Sequence, residues 1–419
     1  MEPGPPGRSV SPLARIRAQR TLLPENVRAL GWVSFANDLA SELAYPVVPL
    51  FLTLTLGAPV AIVGLIEGIA EGIAIGLRGI SGRLSDRAAH RRVPWIFSGY
   101  GISALARPVL AAAPAWGWVL GARLADRLGK AARTAPRDAL IKDSTPTSVM
   151  GAAFGYHRAL DTAGAVVGPV IAVVMLALGA SLRSVLWLAV IPGFVTLVLL
   201  RRVREAPDVA AAPRTAARPT RAHVQMPASF WFVLAVWVVF SLGNSSDVFL
   251  LLRSKELGLS STLVILAYAF YNVVYSSLSW PLGALSDRVS RPLVLAGGLG
   301  VFALVYLGFA AASVSWVVWP LFIVYGVYIA ATEGVARAWI ADHAPPGASG
   351  TAYGIFAAAT GASLLVASVV AGLLWSHVSP SAPFVLGVVS AGLALLLLMG
   401  RELTSGSRRG RARGYGSRS

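Results

Sequence analysis

The chain has 419 residues, of which 13% are charged and 56% hydrophobic, with a mean hydropathy of +0.67. Soluble domains carry about 25% charged residues, so this composition excludes an ordinary soluble protein and predicts a membrane body. The chain has no cysteine, which excludes disulfides and thiolate chemistry, and its net charge of +17 comes from arginines that flank apolar segments, a pattern of membrane orientation and not of nucleic-acid binding.

Apolar stretches follow one another along almost the whole chain, separated by short charged loops. A helix needs about 20 mostly apolar residues to cross a bilayer. The segments that meet this need lie at 28–52, 60–83, 93–112, 115–141, 151–178 and 182–200, then at 228–252, 261–285, 291–312, 316–340, 350–376 and 381–400. The sequence therefore predicts an all-α integral membrane protein with twelve transmembrane helices in two pseudo-symmetric six-helix halves, 28–200 and 228–400.

Basic residues outside these segments predict the orientation. The N-terminal tail, 1–27, lacks the apolar core of a signal peptide, and the C-terminal tail, 401–419, has the basic composition of a disordered segment. Arginines concentrate in both tails, in the linker 201–227 and in the loops after segments 2 and 8. With twelve crossings these regions share one side, and the positive-inside rule places that side and both termini in the cytoplasm.

The two halves repeat a short phrase at the ends of segments 2 and 8. Gly82–Arg87 reads GRLSDR and Gly283–Arg288 reads GALSDR. At a similar offset, Asp143 in the first half corresponds to Asp342 in the second. Two joined membrane halves place a binding site between them, near the middle of the bilayer. The repeat therefore predicts a transporter.

These phrases resemble the loop signature of the major facilitator superfamily. The matching residues are Gly82, Asp86 and Arg87 in the first copy and Gly283, Asp287 and Arg288 in the second. The resemblance covers about residues 28–400 and implies the major facilitator fold, in which this loop gates the cavity by holding the two halves together. An aspartate at a helix end can dock on an arginine or a helix N-terminus of the other half. A solvated anchor loop is the alternative.

Segments 4 and 5 sharpen the resemblance. The run from Asp126, DRLGKAARTAPRDAL, is similar to a prokaryotic subgroup of the superfamily whose substrate is unassigned. Gly155, Gly164, Gly168 and Pro169 resemble the antiporter motif of the family's exporters, which implies a hinge in segment 5 and favours export. The alternative is close packing, because small residues at these spacings are common where membrane helices touch.

Acidic residues within the first two segments are candidates for proton coupling. Ionisable groups cost at least about 2.5–3.5 kcal/mol at the centre of a membrane helix, so they mark cavities or ion pairs. Asp38 and Glu42 share one helical face, as do Glu67 and Glu71, and we expect these acids to face the bases of segment 4. A carboxylate whose surroundings change between two conformations can carry a proton. Glu71, near the middle of the membrane, is the preferred carrier, with Asp38 and Glu42 comparable.

Other polar and aromatic residues within the segments are candidates for a substrate cavity. They are Arg78, Arg107, Arg123, Asp126, Asp247, Tyr271, Asn272, Tyr275, Glu333 and Arg337. Each also has a structural interpretation. The charges of segment 4 could only anchor that helix, Glu333 and Arg337 could form an intrahelical pair, and the tyrosines could pack or form an interfacial belt. In segment 5, His157 is expected to be a hydrogen-bonded partner of Asp161.

These features predict a secondary active transporter of the cell (cytoplasmic) membrane, exporting a small organic molecule in exchange for protons by alternating access. One alternative is uptake of a metabolite anion bound by Arg78, Arg107 or Arg123, and another is a receptor or scaffold. The sequence has no phosphate-binding loop, no metalloprotease spacing and no nucleophile elbow, so we expect neither an enzyme nor a metal nor a cofactor. The expected partners are the substrate, protons and the lipid bilayer, with no nucleic acid. Because one chain completes both halves, we expect a monomer.

Overall fold

The computed structural model describes residues 23–87, 92–146, 149–205, 225–345 and 349–415, and within these ranges it is helical with no strand. A helix lies in each of the predicted segments. The helices are α1 Glu25–Ala44, α2 Val60–Arg87, α3 Arg92–Ala112, α4 Trp116–Asp143, α5 Met150–Ala177, α6 Leu182–Leu200, α7 Ala228–Ser241, α8 Ser261–Arg288, α9 Arg291–Ala311, α10 Val318–Asp342, α11 Ser349–His377 and α12 Ala382–Tyr415.

The first helix of each half is interrupted, which the sequence analysis missed. After α1, residues Val48–Leu50 form one helical turn that continues into a π-helical turn, Phe51–Thr55. After α7, a separate helix runs over Val248–Glu256. Pro46 and Gly243 lie in the two breaks, and each disfavours a continuous helix, proline because it lacks an N–H and glycine because of its conformational freedom.

Other boundaries differ less. Helices α2 and α8 run on through the repeated phrase to Arg87 and Arg288. Helix α12 continues past residue 400 to Tyr415, where the sequence predicted the start of a disordered tail. Extending an existing helix needs no new nucleation, so a polar continuation can stay helical. Residues 1–22 and most of the linker, 206–224, lie outside the described residues.

Seven helical stretches of the described chain are long and apolar enough to cross a membrane. They lie in α5, α6, α8, α9, α10, α11 and α12. Helices α1 and α4 do not belong to this apolar set because they carry charged residues. The same charges mark them as candidates for the functional site.

An ion pair is repeated in the two halves. Arg92 at the start of α3 pairs with Asp143 at the end of α4, and Arg291 at the start of α9 pairs with Asp342 at the end of α10. The two residues of each pair are 51 positions apart. The internal repeat found in the sequence is therefore accompanied by an equivalent ion pair in each half of the structure.

Glycines allow the closest contacts between helices. On α2, a Cβ built at Gly64 would lie 2.4 Å from the Ser368 carbonyl oxygen of α11, and one at Gly72 would lie 2.9 Å from that of Gly361. Helix α2 therefore packs directly on the backbone of α11, which joins the two halves. The Ala61 N–H also donates to Ser376 Oγ at 3.1 Å, at the beginning of α2.

Within the first half, α1 packs on α5 in the same way. A Cβ at Gly164 would lie 2.5 Å from the Phe35 carbonyl oxygen, and one at Gly168 would lie 2.8 Å from the Leu43 nitrogen. These two glycines of the motif thus serve close packing, while a hinge at Pro169, inside α5, stays a prediction. For Gly155 the structure gives only its place in α5, since its surroundings lie outside the described part.

Candidate functional site

A cavity of about 430 Å³ lies between the two halves. Helices α1 to α4 form most of its wall, and the second half adds the break after α7 together with α8 and α10. The lining residues are Asp38, Ser41, Glu42, Ala44, Tyr45, Glu71, Ala106, Arg107, Leu110, Ala122, Arg123, Asp126, Arg127, Lys130, Asp247, Tyr275 and Glu333.

Ion pairs between α2 and α4 form one wall. Both carboxylate oxygens of Glu67 accept hydrogen bonds from the Arg123 guanidinium, at 2.7 and 2.8 Å. Glu71 pairs with Arg127 at 2.6 Å and lies 3.8 Å from Arg123. The prediction that acids of segment 2 face bases of segment 4 therefore agrees with the structure. Glu67 is only 1% exposed and does not line the cavity, whereas Glu71 does.

The acids of α1 have no such partners. Asp38 accepts a hydrogen bond from the Asn37 amide at 3.1 Å, and Glu42 accepts one from the Tyr268 hydroxyl at 2.8 Å. Among the described residues, neither carboxylate has an Arg or Lys within ion-pair distance. Because Tyr268 belongs to α8, the Glu42 hydrogen bond crosses between the two halves.

Arg107 of α3 is bound to α1 by neutral groups. One terminal nitrogen donates to Asn37 Oδ1 at 2.9 Å, to the Asn37 carbonyl at 3.3 Å and to Ser41 Oγ at 3.0 Å. Asn37 directly precedes Asp38 in the sequence, and Ser41 directly precedes Glu42. Arg107 therefore holds the part of α1 that carries the two acids, and Arg123, already paired with Glu67, lies over the Tyr45 ring at 5.6 Å.

The wall from the second half is acidic and aromatic. The two oxygens of Asp247 accept hydrogen bonds from the Tyr325 hydroxyl at 2.6 Å and the Tyr271 hydroxyl at 3.0 Å. Glu333 accepts from the Tyr275 hydroxyl at 2.5 Å and pairs with Arg337 at 2.7 Å. The intrahelical pair considered from the sequence is therefore present, and Glu333 also reaches the cavity.

Several predicted cavity residues lie elsewhere. Tyr271 is buried behind Asp247, and the Asn272 amide donates to the Tyr268 carbonyl of its own helix. Arg337 does not line the cavity. The structure describes the backbone of Arg78, Gly82, Asp86, Arg87, Gly283 and Asp287 and not their surroundings, so the gating loop stays a prediction. The Arg288 side chain is exposed.

The expected pairing of His157 with Asp161 is not formed. Asp161 accepts from Ser34 Oγ at 2.6 Å and pairs with Arg158 at 3.0 Å, while the buried Nε2 of His157 has no hydrogen-bond partner within the described part of the chain.

The sequence analysis did not assign Lys130 to the cavity and did not predict the contact of Tyr325 with Asp247. Lys130 lines the cavity and has no ion pair among the described residues. Its spacing from Arg123 and Arg127 on one helical face was a usable signal. No signal of this kind exists for Tyr325, whose contact with Asp247 spans 78 positions.

The halves are in contact at one end of the cavity, and charged side chains are exposed toward the other. At the end where α2 begins, Ala61 binds Ser376 and residues Val48–Leu50 touch the helix Val248–Glu256. Toward the opposite end, the side chains of Arg158 and Arg337 are 70% and 54% exposed. The cavity is therefore accessible from the end at which α2 and α10 terminate.

Comparison with known proteins identifies the family. A model described as Major Facilitator Superfamily matches residues 30–253 and 248–415. The chain belongs to the major facilitator superfamily. An uncharacterized MFS-type transporter of Methanocaldococcus jannaschii is 34% identical over 386 residues, covering 90% of this chain and 95% of the relative.

Two further similarities are more distant. The class C tetracycline resistance protein of Escherichia coli is 38% identical over 131 residues, which covers 30% of this chain and 32% of that protein. The crystal structure of a nucleoside transporter has a TM-score of 0.69 with 13% identity, covering 89% of this chain and 97% of the other. The fold is thus that of an MFS transporter.

Proposed function

We propose that the protein is a secondary active transporter of the cell membrane that exports a small organic molecule in exchange for protons. The main support is the cavity between the halves, whose α1 acids Asp38 and Glu42 have no Arg or Lys within ion-pair distance among the described residues. In this proposal all twelve helices cross the membrane with both termini in the cytoplasm, and the accessible end of the cavity faces the cytoplasm.

Asp38 and Glu42 are the proposed proton carriers. An ionised carboxylate without a counter-ion is costly at membrane depth, so taking up a proton relieves that cost. The hydrogen-bond donor to Glu42 comes from Tyr268 of the other half. Movement of the halves therefore changes the surroundings of Glu42 and its affinity for a proton, which is the requirement for coupling proton binding to alternating access.

Glu67 and Glu71 have different places in this mechanism. Glu67 is enclosed in its ion pair with Arg123, so we assign it a role in holding α2 to α4. Glu71 faces the cavity and can exchange Arg127 for a proton or for substrate. Arg123, one of the arginines of the anion-uptake alternative, is neutralised by its pair with Glu67, which leaves it less available to an anionic substrate.

Export is supported by the relatives that confer resistance to tetracycline, because removing a toxic compound from the cell is one route to resistance. The similarity covers about a third of each chain. Together with the glycine motif of α5 it favours outward transport, and it makes tetracycline a reasonable first compound to test.

The test is transport in proteoliposomes that contain a pH-sensitive dye. With an acidic lumen, an antiporter accumulates its substrate while the lumen becomes alkaline, and an ionophore that collapses the gradient stops both. Accumulation that persists after the collapse would refute proton coupling. Accumulation only when the outside is acidic would replace antiport by symport.

A further inference from the structure

Asp247 is an oriented carboxylate in the wall of the cavity. It lies in the break after α7 and immediately before the helix Val248–Glu256. The Tyr325 and Tyr271 hydroxyls donate to its two oxygens. Hydrogen bonds donated to both oxygens suit the ionised form of a carboxylate and fix its orientation.

No basic side chain of the described residues balances this charge. Arg123 and Arg127 pair with Glu67 and Glu71 on the opposite wall, and Arg337 pairs with Glu333. Removing a carboxylate from water without a counter-charge is costly, and a wet cavity lowers that cost without cancelling it. A positive group on a ligand would supply the missing counter-charge to Asp247.

The charges of the cavity are unevenly distributed. The described lining residues comprise six acids, Asp38, Glu42, Glu71, Asp126, Asp247 and Glu333, and four bases, Arg107, Arg123, Arg127 and Lys130. All four bases lie on α3 and α4 in the first half. The wall from the second half presents acids and tyrosine only, so the field there attracts cations.

Tyrosines contact the same carboxylate and line the cavity. Tyr45 and Tyr275 line the cavity, and Tyr271 packs edge-to-face against Tyr268 at 5.1 Å and Tyr325 at 5.5 Å. A carboxylate in a cavity that also presents the Tyr275 ring suits an organic ammonium group, which can combine ion pairing with cation–π attraction. A metal ion fits less well, because hydroxyl donors occupy both oxygens and no cluster of three metal-binding side chains occurs among the described residues.

We infer that the cavity takes organic molecules bearing a protonated amine or quaternary ammonium group, which binds Asp247 on the tyrosine-lined wall. The inference rests on the proposed function, in which this cavity is the transport site. The proposed substrates are therefore organic cations, and Asp247 is the residue that selects them.

Three probes that share a phenylethyl group test this selection. They are 2-phenylethylamine, 2-phenylethanol and 3-phenylpropionate, which are positive, neutral and negative at neutral pH. Binding to the purified full-length protein in detergent is measured by quenching of tryptophan fluorescence and by thermal stabilisation, since a ligand that prefers the folded state raises the transition temperature. We expect the amine to bind and the carboxylate not to bind.

Variants locate the site. Asp247→Asn should weaken amine binding roughly tenfold or more, a change of about 1.4 kcal/mol or more, and leave the weak binding of the alcohol unaltered. Asp138→Asn is the matched control, because the ion pair described for Asp138 is with the adjacent Arg137, its side chain is 45% exposed and it does not line the cavity. If Asp247→Asn does not fold, the order of the three probes on the unmodified protein still decides the question.

The proposal is overturned if 2-phenylethylamine binds no better than the alcohol, if 3-phenylpropionate binds as well as the amine, or if folded Asp247→Asn keeps full affinity for the amine. The assay uses no pH gradient. Proton-coupled transport of some other compound, together with failure of the amine to bind, would therefore reject the substrate class while leaving the proposed function intact.

Discussion

Two carboxylates one helical turn apart on α1 face the cavity with different neighbours. Asp38 is bound by the adjacent Asn37, which moves with it, and Glu42 is bound by Tyr268, which belongs to the other half. Only the surroundings of Glu42 must therefore change when the halves separate at this contact. Asp38 changes its surroundings only if α1 moves against the first half, so the two residues need not be equivalent.

Replacing both acids separates binding from coupling. In the variant Asp38→Asn with Glu42→Gln, we expect gradient-driven accumulation to fall to background because no carrier remains in α1. Exchange of labelled for unlabelled substrate without a gradient should persist, since that step needs no net proton movement. The measurement is accumulation and exchange in the same proteoliposomes.

The control is Glu256→Gln, whose acid pairs with Arg253 away from the cavity. Undiminished gradient-driven accumulation in the double variant would show that the proton travels by another group, with Glu71 the next candidate.

The buried pair of Glu67 and Arg123 predicts an asymmetric response to mutation. Removing one partner of a buried ion pair costs up to about 3–5 kcal/mol, here reduced because Arg123 keeps Glu71 at 3.8 Å, whereas replacing both partners by apolar residues is often close to neutral. Glu67→Met should therefore lower the thermal transition of the purified protein markedly, and Glu67→Met with Arg123→Met should recover much of the loss. A double variant less stable than the single one would contradict this account.

At the level of helices, the contacts of α5 with α1 depend on glycine. Gly164→Ala places a methyl group against the Phe35 backbone, which cannot turn away as a side chain would. We expect a loss of about 1–3 kcal/mol in stability, typical of overpacking, seen as a lower thermal transition. Gly101→Ala on α3 is the control, because nothing lies near its built Cβ. Equal effects at the two positions would argue against tight packing as the role of Gly164.

The helical segments could be predicted because hydropathy is local. The breaks after α1 and α7 could not be located so easily, although Pro46 and Gly243 were visible, because both residues also occur inside continuous membrane helices. Within the site, the pairing of Glu67 and Glu71 with α4 followed from spacing on one helical face. The contact of Asp247 with Tyr325 depends on how α7 and α10 pack, and no spacing within one segment encodes it.

Across the whole molecule, the absence of cysteine makes the contact between halves directly testable. The Ala61 nitrogen lies 3.1 Å from Ser376 Oγ, so cysteines at these two positions can be joined by a disulfide or a short cross-linker. In the variant Ala61→Cys with Ser376→Cys, we expect oxidation to stop transport and reduction to restore it, because alternating access requires this end to open. Full transport in the oxidised protein would refute opening at this contact.

The Tyr268 hydroxyl is also expected to influence the equilibrium between the two conformations of the substrate-free protein. The Tyr268–Glu42 hydrogen bond exists only while the halves meet, and a bond to a charged acceptor is worth about 1.5–3 kcal/mol. Its loss in Tyr268→Phe should therefore shift the resting equilibrium more than roughly tenfold toward the outward-open state, as distances between spin labels on the two halves would record. In the proposed orientation, the substrate-free protein would then mostly have its cavity open to the cytoplasm, and the population of that state would depend on the phenol group of Tyr268.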